Sequence, residues 1–143
     1  LFNHLRDEET NATVGYQLGE HLPEVGEVNR GIFYLENNHV ISSDEILKIS
    51  RLNINEKNVS LETPCNIGIF LIQKETLNKL NQILNKFKEE NSRNRTKECY
   101  LNVELGNLTK NNESKLRYYS GEGKLIGITN PEDESIAKKL LSN

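Results

Sequence analysis

The sequence predicts an α/β domain. Runs rich in β-branched and aromatic residues predict strands, and apolar residues at three- and four-residue steps predict helices. Segments of the two kinds alternate along the chain, a pattern typical of an α/β fold. The chain has 143 residues, of which 35% are hydrophobic. That is about the length of one ordinary domain, so we treat residues 1–143 as a single unit.

The predicted strands come mainly from the first half of the chain. Residues 10–18 alternate loosely and predict a first strand. Residues 28–35 and 39–42 predict a hairpin around a tight turn at Glu36-Asn37-Asn38. The run at 66–72 is continuously apolar after its first residue, which predicts a strand covered on both faces.

The predicted helices come mainly from the second half. Residues 98–108 predict a short helix, and residues 115–120 and 124–129 predict two more strands. Asn130 is a plausible cap for a last helix that begins at Pro131 and buries Ile136, Ala137, Leu140 and Leu141. The clearest helix has an apolar stripe at Leu77, Leu80, Ile83, Leu84 and Phe87.

Composition excludes several classes of protein. The net charge is −3 and the two signs are interspersed, so the basic footprint of a nucleic-acid-binding protein is missing. No apolar run approaches the roughly 20 residues of a membrane-spanning helix. Cys65 and Cys99 fit neither a metal spacing nor a disulfide framework, which favours the cytoplasm. The chain lacks methionine, so we expect that further sequence precedes Leu1.

The common catalytic motifs are missing from the sequence. There is no Gly-x-Ser-x-Gly, no Walker-type phosphate loop and no Gly-x-Gly-x-x-Gly. His4, His21 and His39 are far apart, and we interpret them as surface or loop residues rather than metal ligands. The candidate functional residues are therefore polar side chains at the ends of predicted strands.

Four polar residues of this kind, one of them with a nearby glycine, stand out. Asn66 and Gly68 open the most apolar strand, where an amide can reach a ligand hydroxyl while glycine lets another group approach; alternatively, Asn66 simply ends a loop. Glu45 follows the predicted strand 39–42 and either accepts hydrogen bonds from sugar hydroxyls or is an exposed loop carboxylate. Thr129 lies where open α/β sheets place ligands, and the adjacent Asn130 is a ligand or a helix cap.

Taken in order, four segments resemble the second half of a sugar-phosphate nucleotidyltransferase domain, the nucleoside-diphosphate-sugar pyrophosphorylase family. The resemblance extends over about residues 12–141 and implies a partial Rossmann-like domain, with a mixed sheet and flanking helices. The matching segments are VGYQLGEHLPEVGEVNRGIFYLENNHVISSDEILKI, NIGIFLIQKETLNKL, ECYLNVELGNL and KLIGITNPEDESIAKKL.

The resemblance also implies roles for individual residues. Asn66, with Gly68 beside it, matches the asparagine that contacts the sugar, and Glu45 matches the glutamate that binds sugar hydroxyls. Gly26 matches a backbone contact near the base or sugar. Thr129 stands where many members have an Asp or Asn that binds magnesium. Glu98 matches an acidic residue of mainly structural meaning at the start of a helix.

The implied reaction joins a sugar 1-phosphate to a nucleoside triphosphate. The sugar phosphate attacks the α-phosphorus, Mg²⁺ neutralises charge and pyrophosphate leaves. The family's glycine-rich nucleotide loop and first metal-binding Asp are absent from these residues, so the chain alone is expected to be inactive. The expected partners are a sugar phosphate, a nucleoside triphosphate, the missing amino-terminal half and a second copy of the chain. The alternative is a non-catalytic sugar-phosphate-binding or regulatory module.

Overall fold

The structure is a computed structural model that describes residues 3–4, 10–23, 25–122 and 133–141. The main elements of these residues are five strands and three α-helices, and a short 3-10 helix follows the first strand at Leu18–Glu20. The strands are β1 (Asn11–Gln17), β2 (Val28–Glu36), β3 (His39–Ile49), β4 (Pro64–Leu71) and β5 (Leu116–Ser120), and the helices are α1 (Lys74–Glu90), α2 (Leu101–Lys110) and α3 (Asp133–Leu141).

The strands form a closed barrel in the order β1-β4-β2-β3-β5, with β5 returning to β1. Only β1 and β5 are parallel, and the other neighbours are antiparallel. Two of the joints are narrow: Ile32 pairs with Cys65 between β2 and β4, and His39 pairs with Arg117 between β3 and β5. The barrel is therefore a continuous sheet in the order β4-β1-β5 and a long β2–β3 hairpin, joined at two points.

This architecture corrects the predicted fold class. A partial Rossmann-like α/β domain with a mixed sheet and flanking helices is wrong for this chain, because its sheet closes into a barrel. The physical reason lies in the order of the elements. Four strands precede the first long helix, and all the pairings among them are antiparallel, whereas a parallel sheet needs a crossover between strands.

The predicted hairpin is confirmed, and its turn lies at the predicted residues. Asn37 and Asn38 have φ values of 49° and 59°, the left-handed conformation that two-residue hairpin turns require and that asparagine tolerates well. The return strand is longer than predicted, however, and extends to Ile49. This extension places Glu45 inside β3 rather than in a loop after it.

The main core lies between the barrel and the first two helices. Its aromatic centre is Phe33, which makes edge-to-face contacts with Phe70 and Tyr118 at ring separations of 6.4 and 6.2 Å. The buried side chains of this cluster are Phe33, Val40, Leu80, Leu105, Leu108 and Leu116. The predicted stripe of α1 is only partly buried: Leu80 faces the core, whereas Leu77 is 55% exposed and Leu84 is 38% exposed.

A second core fills the other end of the barrel, where β3 ends. Its members are Leu18, Leu22, Ile49, Ile54 and Cys65. Burial raises the pKa of the Cys65 thiol to about 11, so this thiol is protonated and unreactive at neutral pH. Cys65 is therefore a small apolar core residue.

A buried asparagine fixes where α1 begins. The side-chain oxygen of Asn11 accepts a hydrogen bond from the backbone N–H of Gln73, and its amide donates to Ser114 and Thr76 at 2.7 and 3.0 Å. These contacts join β1 to α1 and to the segment before β5. Asn11 is only 3% exposed, so its polar groups are satisfied by protein and not by water.

The end of the chain is described only in part. Helix α3 confirms the predicted last helix, and Ala137 is buried as expected. The predicted strand 124–129 and the predicted cap at Asn130 lie outside the described residues. Across the ranges that are described, none of the helices combines the length and the apolar character needed to span a membrane.

Candidate functional site

The polar side chain of Glu45 is the centre of a cluster at one side of the hairpin. Its carboxylate is half-buried and accepts a hydrogen bond from the amide of Asn102 at 3.3 Å. Asn102 lies in the first turn of α2 and also donates to Ser43 Oγ at 3.2 Å. The helix therefore holds the Glu45 side chain in place from outside the hairpin.

A glycine makes room for this contact. Gly31 pairs with Glu45 across the hairpin, and a Cβ atom at Gly31 would lie 2.6 Å from Nδ2 of Asn102. It would also lie 3.1 Å from Oε2 of Glu45. A glycine inside a strand often marks such a close approach. Any side chain at position 31 would displace the pair.

Arg30 brings a positive charge to the same cluster. Its guanidinium donates hydrogen bonds to the carbonyl oxygens of Asn29 and His21, at 2.9 and 3.1 Å. Because a guanidinium carries five N–H groups, these bonds leave donors that can contact a ligand. The charge of Arg30 also acts to lower the pKa of Glu45, so the two side chains interact electrostatically.

The segment before α2 adds a second carboxylate and an aromatic ring. The interaction with Glu98 is the main cause that raises the pKa of Tyr100. The charge of Glu98 also acts to raise the pKa of Glu45. Glu98 is exposed and Tyr100 is half-exposed. We call Arg30, Glu45, Glu98, Tyr100 and Asn102 the hairpin cluster.

Burial sets the titration of Glu45. Desolvation is the largest cause and raises its pKa, against the lowering effects of the Asn102 hydrogen bond and the Arg30 charge. The folded protein therefore binds a proton at Glu45 at higher pH than the unfolded chain does. The stabilisation due to this proton is fully present below the pKa that Glu45 has in the unfolded chain. It is lost as the pH rises through the pKa that Glu45 has in the folded protein.

This titration gives a test with the Glu45→Gln variant, in which position 45 cannot titrate. We expect the free energy of unfolding of the native chain, relative to that of the variant, to fall with rising pH. The fall begins near the ordinary pKa of a glutamate and ends above the raised pKa of Glu45. Urea unfolding of both chains across this pH range measures the difference. A difference that stays constant, or that grows with pH, would contradict the assigned environment of Glu45.

Asn66 and Gly68 lie on β4, and their contacts are local. The side-chain oxygen of Asn66 accepts a hydrogen bond from the backbone N–H of Gly68 at 2.8 Å. Gly68 is exposed with φ of 81°, and no heavy atom would lie within 4 Å of a Cβ there. Among the described residues, no hydrogen bond joins Asn66 to Glu45. Their joint role in sugar binding stays a prediction.

Gly26 and Thr129 complete the predicted site residues. Gly26 lines a groove of about 440 Å³ between the loop at 25–27 and the turns at 50–56, which we call the loop groove. A larger groove of about 680 Å³ lies beneath the hairpin turn and the end of α2. Glu45 and Asn66 line neither of these two grooves. Thr129 lies outside the described residues.

A magnesium site gains no support from the side chains that are described. Within ranges 3–4, 10–23, 25–122 and 133–141, no group of three or more His, Cys, Asp or Glu side chains is arranged to hold a metal ion. In the hairpin cluster, the guanidinium of Arg30 already stands near Glu45. The magnesium expectation therefore stays a prediction that rests on the resemblance.

Sequence reasoning identified Glu45 but missed the residues that organise it. Asn102 and Arg30 come from different parts of the chain, and although both lie in segments that carry the resemblance, neither was identified as a site residue. One available signal was Gly31, because an isolated glycine in a strand indicates close approach by another group. Glu98 was noticed only as an acidic residue at the start of a helix.

Comparison with known proteins adds no family assignment. None of the models of known protein families matches the chain, and a search of curated proteins finds no match either.

Proposed function

We propose that the chain is a non-catalytic module that binds a sugar phosphate at the hairpin cluster. The observation that carries the proposal is a half-buried carboxylate, Glu45, that is held by the buried amide of Asn102. The charges of Arg30 and Glu98 both act on this carboxylate, and the phenol of Tyr100 interacts with Glu98. Carboxylates accept hydrogen bonds from hydroxyl groups, and guanidinium groups bind phosphate oxygens. The cluster thus offers complementary groups to both parts of such a ligand.

Glu45, Glu98 and Arg30 each have hydrogen-bonding positions left for a ligand. A carboxylate has about four acceptor positions, and Glu45 uses one of them on Asn102. Glu98 is exposed and can accept from a second hydroxyl. Arg30 uses two of its N–H groups on carbonyl oxygens, and the others remain for a phosphate. The ring of Tyr100 supplies an apolar surface beside them.

The nucleotidyltransferase reaction has less support. The resemblance behind it also implied a partial Rossmann-like α/β domain, and the chain folds into a barrel instead. Pyrophosphate release from a nucleoside triphosphate, a sugar 1-phosphate and Mg²⁺ would favour the enzyme over the binding module. A cytoplasmic location fits either function, because Cys65 and Cys99 are both free thiols.

Calorimetric titration with glucose 1-phosphate tests the binding function. We expect Glu45→Gln and Arg30→Gln each to weaken binding by about 1 to 3 kcal/mol, the range for losing hydrogen bonds to charged groups. Glucose alone and inorganic phosphate alone should each bind more weakly than the combined ligand. Asn66→Ala belongs in the same series, because it tests the contact that the resemblance implies.

Glu36→Gln is the matched control, because it removes a carboxylate from the same hairpin but outside the cluster. Its affinity for glucose 1-phosphate should equal that of the native chain. Equal affinities for Glu45→Gln, Arg30→Gln and the native chain would remove the hairpin cluster as the binding site.

A further inference from the structure

The loop groove carries a pair of side chains that a folded protein ordinarily covers. Val25 is 90% exposed and Leu52 is 97% exposed, and both line the groove. Among the described residues, the next most exposed large apolar side chain is Leu77, at 55%. Two fully exposed aliphatic side chains on separate loops are an apolar surface that a partner can cover.

Two of the three charged side chains that line this groove are acidic. Glu27 and Glu56 line the groove, and both residues are exposed. Within the described parts of the chain, neither carboxylate has an ion pair or a side-chain hydrogen bond. The cation nearby is engaged: Arg51 donates to the carbonyl oxygens of Gly19 and Leu22, at 2.8 and 3.4 Å. Two free carboxylates thus flank the two aliphatic side chains.

We propose that the loop groove binds a short peptide segment of a partner protein, with aliphatic side chains next to lysine or arginine. The aliphatic side chains pack on Val25 and Leu52, and the cations pair with Glu27 and Glu56. A volume of about 440 Å³ accommodates a few side chains. This surface is separate from the hairpin cluster, so the inference goes beyond the proposed function.

Two labelled peptides provide the probe, one of alternating lysine and leucine and one of alternating glutamate and leucine. Fluorescence anisotropy with the full chain should show that the basic peptide binds at least about tenfold more tightly, a factor that corresponds to 1.4 kcal/mol. Leu52→Ser and Val25→Ser should each weaken its binding about fivefold or more. Both side chains are exposed, so neither change removes a core contact.

Charge reversal distinguishes a specific site from general attraction to an acidic protein. The Glu27→Lys/Glu56→Lys variant should weaken binding of the basic peptide about tenfold or more. The Glu75→Lys/Glu89→Lys variant changes the net charge equally on exposed positions of α1, and it should weaken binding less than about twofold. Binding of glucose 1-phosphate should be the same in the native chain and in Leu52→Ser.

Three results would overturn the proposal. The first is an equal loss of peptide affinity in the two charge-reversal variants. The second is a dimer in sedimentation equilibrium that Leu52→Ser dissociates, which would make a second copy the occupant. The third is co-sedimentation with phosphatidylcholine vesicles that Leu52→Ser abolishes, which would make a lipid surface the occupant.

Discussion

Replacing Leu105 by alanine is expected to lower the free energy of unfolding by about 2 to 5 kcal/mol, the usual cost of a cavity in a packed core. Leu105 is fully buried in α2 and belongs to the main core with Phe33 and Leu80. Urea unfolding followed by circular dichroism measures the change.

The same substitution at Leu77 is the control. Leu77 is 55% exposed on α1, so Leu77→Ala should change the stability by less than about 1 kcal/mol. Similar losses for the two variants would mean that the apolar stripe of α1 packs more fully than described. A negligible loss for Leu105→Ala would contradict the packing of α2 on the hairpin.

Replacing Gly31 by alanine is expected to cost about 1 to 3 kcal/mol of stability, as overpacking of a filled site does. The added methyl group would lie 2.6 Å from Nδ2 of Asn102, which is a buried side chain with little room to move. Displacing Asn102 also releases Glu45, so the affinity for glucose 1-phosphate should fall as well. Urea unfolding and calorimetric titration measure the two effects.

A double-mutant cycle identifies the cause of this loss. In Gly31→Ala/Asn102→Ala the clashing side chain is gone, so the double variant should cost at least about 0.5 kcal/mol less than the sum of the single variants. Purely additive costs would mean that Gly31 matters for the strand alone and not for the contact between Asn102 and Glu45.

Local elements of the fold were predictable from the sequence. The turn at Asn37-Asn38 was found because asparagine tolerates a positive φ, and α1 was found because its apolar residues have helical spacing. Both signals depend on residues that are close in sequence. Their positions are therefore determined by local stereochemistry.

The arrangement of these elements was not predictable in the same way. The resemblance to a nucleotidyltransferase suggested an open α/β sheet, but the barrel closes through the Ile32–Cys65 and His39–Arg117 pairs. Neither pair has a sequence signature, because pairing between distant strands depends on tertiary packing. The sequence signal for an antiparallel sheet was the run of four predicted strands before the first long helix.

Strand β4 shows a further limit of pattern analysis. Its apolar run predicted burial on both faces, yet Ile69 is 46% exposed. Gly68 has a φ of 81°, and the register of β4 against β1 shifts at this point. An irregularity of this kind changes the direction in which the following side chains point. The number of apolar residues in the run therefore does not predict which of them are buried.

The candidate site was predictable only at Glu45. Its carboxylate was identified as a hydroxyl-binding group, but its environment comes from Asn102 on α2 and Arg30 on β2. The residues that make these contacts are far apart in the sequence, so a short motif cannot include them. A polar cluster built from several elements therefore becomes visible only when the chain is folded.

The most direct test of sugar-phosphate binding at the hairpin cluster is a ¹H–¹⁵N NMR titration of the chain with glucose 1-phosphate. We expect the largest shift changes at the backbone amides of Arg30, Glu45 and Tyr100 and at the side-chain amide of Asn102, with smaller changes for inorganic phosphate alone. Saturable changes centred on other residues, or no change at millimolar ligand, would contradict binding at this cluster.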